Sequence, residues 1–87
     1  MNGMKRRLDA GVEVLRFAAR GMNGPEIARR MYLSEDAVKT RLRFVYTHLG
    51  ARNMTHAVVL AALKGLLTPA DLRAAYEDRR TAGEGEG

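Results

Sequence analysis

Three residues, Tyr32-Leu33-Ser34, are all that separate two stretches with helical spacing. On one side Ile27, Ala28 and Met31 recur at three- and four-residue intervals, and on the other Val38, Leu42, Val45 and Leu49 make a longer apolar stripe. So short a link allows only a tight turn, and both stripes must then face one core from helices that cross steeply. Ser34 followed by Glu35 and Asp36 marks the start of the longer helix, because a serine oxygen can accept from a free backbone N–H and acids favour the positive end of the dipole. Gly50 marks its end.

The rest of the chain supplies similar punctuation. Asp9 is the expected cap of a first helix carrying Val12, Leu15, Ala18 and Ala19, ended by Gly21. Asn23-Gly24-Pro25-Glu26 opens the second helix, Pro25 to about Met31, which leaves Arg29 and Arg30 outward. The third runs from Glu35 to about Leu49. Asn53 can cap a fourth from Met54 to Lys64, stopped by Gly65, and Thr68-Pro69-Ala70-Asp71 opens a fifth, about Pro69 to Arg79. Residues 1–7 are expected to be a flexible basic terminus, 8–66 the folded domain, 67–80 a C-terminal helix, and 81–87, rich in Gly and Glu, a disordered acidic tail.

With 87 residues the chain has room for one small core. The fold class expected is all-α. Charge is unevenly placed: residues 1–66 hold 12 Lys and Arg against 5 Asp and Glu, whereas residues 67–87 hold 3 against 5. The basic part is the folded part, which favours a polyanionic partner. The chain has no cysteine, so thiolate metal sites, disulfides and cysteine nucleophiles are excluded. Its two histidines, His48 and His56, have no carboxylate at metal-ligand or triad spacing, so no enzyme, metal, cofactor or small-molecule ligand is expected. The longest apolar run, Ala57 to Leu63, is far short of the ~20 residues that span a bilayer, and no apolar segment follows the basic start as in a signal peptide. A cytoplasmic location, away from membranes, is expected.

At about 100° per residue the third helix sorts its side chains into faces. Val38, Leu42, Val45 and Leu49 point to the core with Tyr46 beside them, and the outer face carries Asp36, Lys39, Thr40, Arg43 and Thr47. Lys and Arg can address guanine acceptors in the major groove. Arg41 lies on a flank, where a phosphate is the expected contact. A short helix, a tight turn and a longer helix with a basic outer face make a helix-turn-helix arrangement, whose second helix enters the groove of double-stranded DNA.

On Glu13-Val14-Leu15, Ala19-Arg20-Gly21, Glu26-Ile27-Ala28-Arg29-Arg30, Leu33-Ser34-Glu35, Val38-Lys39-Thr40-Arg41-Leu42, Tyr46, Leu49-Gly50-Ala51-Arg52-Asn53, Thr55 and Ala57, the chain resembles the LuxR/GerE-type family of bacterial DNA-binding domains from about Leu8 to Leu66. The resemblance implies a four-helix domain of a transcription regulator, here with a short fifth helix, in which the third helix reads DNA and the fourth commonly makes a dimer contact. Carried over by position, it implies Lys39, Thr40 and Arg43 as base-reading residues, and Ser34, Arg41 and Tyr46 as phosphate contacts; Thr47, on the outer face of the same helix, is expected to contact phosphate as well. Family members usually carry a receiver or ligand-binding domain ahead of this part. About eight residues precede the first helix here, so the expectation is a stand-alone regulator controlled by abundance, dimerisation, the fifth helix or a separate partner.

The chain departs from the family pattern at Gly11 in place of a Glu, Gly24-Pro25 in place of an Asn-Lys type pair, and Met54 in place of an Arg. The first and third remove polar ties between helices. Phe44 stands where a polar residue is commoner, as a packing site for the fifth helix or a partner contact.

The fourth helix is apolar all round and needs cover on two sides. A second copy is the expected cover on the outer side, through Val58, Val59, Ala62 and Leu63, giving a homodimer. Alternatively the fifth helix, with Leu72, Ala75 and Tyr76 on one face, folds back over it. Two other functional readings stay open: a sigma region-four-like regulator, which shares Val38 to Leu42 but lacks the Leu49 to Asn53 run, and a protein-interaction module that docks through Phe44 and the fourth helix.

Overall fold

The computed structural model describes residues 2–78, all of whose regular elements are helices: α1 (Asn2–Ala19), α2 (Gly24–Met31), α3 (Glu35–Leu49), α4 (Met54–Leu63) and α5 (Pro69–Glu77). Residues 79–87, which include the expected acidic tail, lie outside the described part.

Four helix starts are capped, three of them by the expected Ser34, Asn53 and Thr68 and the fourth by Asn23. At α2, the Glu26 N–H donates to Asn23 Oδ1 (2.9 Å) and the Asn23 N–H donates back to Glu26 Oε1 (2.8 Å), a reciprocal pair. The Ala37 N–H donates to Ser34 Oγ (3.0 Å), and the His56 N–H to Asn53 Oδ1 (2.9 Å). At α5 the shorter Asp71 does the work of a Glu: its carboxylate accepts from the Thr68 N–H (2.8 Å), while its own N–H donates to Thr68 Oγ1 (3.2 Å). Tyr32 closes α2 in the left-handed region at φ 57°, a conformation uncommon outside glycine, and this reversal makes the three-residue link possible.

The first helix departs from expectation. It begins at Asn2 rather than at Asp9, which is an exposed residue in its interior, so residues 3–7 are helical and not a flexible lead. The reason lies upstream of the expected cap. Leu8 continues the apolar spacing of Val12 and Leu15 by one turn and packs against the same cluster, so tertiary contact holds the helix upstream of Asp9.

Two clusters form the core. Val12, Leu15, Val45, Leu49, Ala57, Ala61 and Leu67 pack between α1, α3, α4 and the link after α4, while Val14, Ile27, Ala28 and Val38 join α1 to α2 and α3. Leu42 and Met54 pack against both. Three of the four α3 stripe residues are buried and Leu42 is half-buried. Phe17 lies beneath two guanidinium groups, Arg30 at 5.3 Å and Arg20 at 6.0 Å from its ring centroid, which brings α2 against the end of α1.

The fifth helix does not return over α4. It packs against α1, where Arg16 Nε meets Asp71 Oδ1 at 3.2 Å and Arg20 Nε meets Asp78 Oδ2 at 3.9 Å. Leu72 and Tyr76 stay exposed. The outer side of α4 is therefore left open as well, with Val59 50% and Leu63 78% exposed.

Candidate nucleic-acid interface

The outer face of α3 is held outward by what its inner face buries. With Val38 and Val45 at 1% and 0% exposure, the helix has no freedom to roll, and Lys39, Thr40, Arg43 and Thr47 all stand in solvent on the opposite side. Thr47 Oγ1 donates to the Arg43 carbonyl (3.0 Å), leaving its oxygen lone pairs outward. Ser34 stands exposed at the start of the helix; its oxygen is engaged by Ala37, and its own hydroxyl proton remains to donate.

Two of the sequence-expected phosphate residues sit differently from the rest. Arg41 is half-buried on the flank where α1 crosses, and its carbonyl oxygen lies close to Gly11. Tyr46 is half-buried and packed against the first cluster, and burial pushes its phenol up from the ordinary value of 10.0. It stays a neutral hydroxyl across the physiological range.

Phe44 neither packs on α5 nor stands free. Its half-buried ring is met by the Arg7 guanidinium at 5.8 Å from the centroid and by the His48 ring at 6.3 Å. Because α1 reaches back to Asn2, Arg6 and Arg7 come alongside α3 and share an open groove with Ala10, Thr40, Arg41 and Phe44. The reading of residues 1–7 as a flexible lead missed this. The signal was present in the placement of Met4 and Leu8, which extend the α1 stripe through the basic run.

The histidines take local parts. His56 Nδ1 accepts from the Arg52 N–H (3.1 Å) at the entry to α4, and His48 flanks Phe44. Among the described residues there is no group of three or more His, Cys, Asp or Glu placed to hold a metal, and no helix is long and apolar enough to cross a membrane. Of the four residues expected at a dimer contact, Val59 and Leu63 face outward, while Val58 and Ala62 are half-buried against the chain's own core.

Residues 11–61 match the sequence model of the family described as bacterial regulatory proteins, luxR family. The chain is similar to Transcriptional regulatory protein YdfI of Bacillus subtilis, 44% identical over 57 residues that make up 66% of this chain and 27% of that protein. It is similar to HTH-type transcriptional regulator AlkS of Pseudomonas putida, 34% identical over 56 residues, and to AlkS of Alcanivorax borkumensis, 38% identical over 56 residues; each stretch covers 64% of this chain and 6% of the relative. The chain thus spans under a third of the length of these curated relatives. No solved structure matches it.

Proposed function

The chain belongs to the luxR family of bacterial regulatory proteins, and on that footing we propose that it binds double-stranded DNA sequence-specifically, as a homodimer, to regulate transcription in the cytoplasm. One observation carries the reading. Lys39, Thr40, Arg43 and Thr47 form a single exposed face on a helix whose opposite side is locked into the core. A rigid helix of roughly 10–12 Å diameter matches a major groove about 12 Å wide, and a face without apolar side chains has no use in packing. The names of the relatives, which call them transcriptional regulators, support the same reading.

In this reading Lys39, Thr40 and Arg43 address base edges, and phosphates are addressed by Ser34, Arg41, the Tyr46 hydroxyl and Thr47, whose hydroxyl proton must turn from the Arg43 carbonyl to the phosphate on binding. The homodimer rests on Val59 and Leu63, which present an apolar strip that α5 leaves uncovered. A self-complementary contact there would set two α3 helices on paired half-sites about one DNA turn apart. The rival reading, docking of another protein through Phe44, has less support because Arg7 and His48 already flank that ring.

The test is selection of bound sequences from a random duplex pool, followed by titration of the selected duplex against salt. Paired half-sites are expected, with affinity falling about 10³-fold or more between 50 and 200 mM salt for six to ten phosphate contacts. No enrichment, or binding indifferent to salt, overturns the reading.

A further inference from the structure

The groove beside α3 is not part of the reading face, yet it opens onto it. Its volume is about 500 Å³, and its walls are Arg6, Arg7 and Ala10 of α1 and Thr40, Arg41 and Phe44 of α3. Three guanidinium-bearing residues thus line one concavity. Among the described residues, the arginines that pair with carboxylates are Arg16 and Arg20, at the other end of α1, and none of the three groove arginines has such a partner. Cations gathered in a concave site with no counter-charge lower the energy of an anion placed there.

Position narrows which anion. Thr40 belongs both to the groove and to the outer face of α3, and Phe44 follows it by one turn, on the flank shared with Arg41. A helix seated in a major groove has a row of phosphates along each rim, so the flank of α3 faces a sugar-phosphate strand while its outer face meets bases. The exposed Arg7 guanidinium stands over the Phe44 ring, 5.8 Å from its centroid, which holds it at the wall of the groove.

We propose that this groove seats the DNA backbone that borders the bases read by α3, and that Arg6 and Arg7 are phosphate contacts contributed by the first helix. The assignment rests on the DNA-binding reading and extends the interface from one helix-turn-helix to the extra N-terminal turns of α1. These contacts carry no sequence information. They raise affinity for all duplexes alike.

The experiment uses the full chain and three variants, Arg6→Ala, Arg7→Lys and the double Arg6→Ala/Arg7→Ala, each first checked for an unchanged thermal transition. Binding is measured over a salt series on the selected duplex and on a scrambled one. The double variant is expected to lose about tenfold or more on both duplexes, and its log–log salt slope is expected to shrink by about 1.8, at roughly 0.9 per phosphate. Arg6→Ala shows half that change in slope, and Arg7→Lys, which keeps the charge, keeps the slope.

An unchanged slope in the double variant, with specific binding by the wild type intact, overturns the groove assignment and leaves the DNA reading standing. Loss confined to the selected duplex overturns it too, since it makes Arg6 and Arg7 base readers. Saturable shifts of the Arg6 and Arg7 side-chain resonances with inorganic phosphate alone, undiminished by duplex, make the groove a free-anion site and reject the proposal. Failure of the wild type to bind any duplex removes both readings.

Discussion

Gly11 and Val45 stand so close that a Cβ added to the glycine would lie 2.7 Å from the Val45 Cβ, and 3.1 Å from the Arg41 carbonyl oxygen. The glycine is the point at which α1 and α3 cross, and the absent side chain sets how near the two helices come. A glycine in a helix interior costs about 1 kcal/mol relative to alanine, so the close approach is retained against local helix propensity. It also sets the groove beside α3, because the same crossing brings Arg7 to Phe44.

Gly11→Ala is therefore expected to destabilise the fold by about 1–3 kcal/mol, the usual cost of an overpacked contact, despite the gain in helix propensity. Gly3→Ala, where an added carbon meets nothing within 4 Å, serves as the control and is expected to be neutral or slightly stabilising. Urea unfolding of both variants and of Gly11→Ala/Val45→Ala checks this. Val45→Ala keeps the Cβ that lies 2.7 Å away and leaves the Arg41 carbonyl in place, so the double variant should not recover the Gly11→Ala loss, and a Gly11→Ala protein as stable as the wild type rules the close approach out.

What could be read from the residues followed locality. Ser34, Asn53 and Thr68 cap their helices through bonds spanning three residues, and Gly50 and Gly65 take positive φ just past α3 and α4, so short-range chemistry placed those boundaries. The outer face of α3 was legible for the same reason, since one helix period sorts it. The turns of α1 before Asp9 were not, because Leu8 holds them through packing against residues far away in the sequence. Nor was the position of α5, which depends on Arg16 finding Asp71 across 55 residues of sequence, or that of Phe44, whose partner Arg7 lies on another helix.

Asp71 gives the docking of α5 a pH dependence. Its carboxyl is held below the ordinary value, first by the Thr68 backbone N–H and then, against a smaller effect of burial, by Arg16 and the Thr68 side chain. A depressed carboxyl contributes stability that is complete above the unfolded value, about 3.9 for aspartate, and is lost as pH falls through the lower folded value. Following the helical ¹³Cα shifts of α5, wild type should exceed Asp71→Asn at pH 6, and the gap should close as pH drops below about 4. A gap that widens on acidification contradicts the assignment.

Leu63→Glu separates assembly from folding. At 78% exposure the side chain leaves the chain's own core intact when replaced, so the thermal transition should move by no more than about 0.5 kcal/mol in equivalent stability unless subunit contact contributes. Light scattering is expected to show the mass drop from two subunits to one, with paired half-sites bound much more weakly. Val58→Glu, by contrast, places a charge against the first cluster and should unfold the domain. A wild-type protein that is monomeric at micromolar concentration and on DNA removes the α4 contact.

Arg43 and Arg41 differ in face, and should differ in kind. Arg43→Ala is expected to cost about 1–3 kcal/mol on the selected duplex and to relax preference at one base position. Arg41→Ala, on the flank, should weaken selected and scrambled duplexes alike and reduce the salt slope by about 0.9. Competition binding against single-base variants of the site distinguishes the two patterns, and identical behaviour of the two variants contradicts the division of faces.

Ser34 carries two roles on one oxygen, and one substitution splits them. As a cap it only accepts from the Ala37 N–H, and an aspartate accepts equally well while favouring the positive end of the α3 dipole. As a phosphate contact it must donate its hydroxyl proton, which aspartate cannot do at neutral pH, and the new charge faces the phosphate directly. Ser34→Asp is expected to keep stability within about 0.5 kcal/mol of wild type while lowering affinity for every duplex by about tenfold or more, whereas Ser34→Ala should lose about 1 kcal/mol of stability and only part of the affinity. Paired urea-unfolding and duplex-binding measurements on the two variants test this, and equal affinity of Ser34→Asp and wild type would confine the residue to its cap.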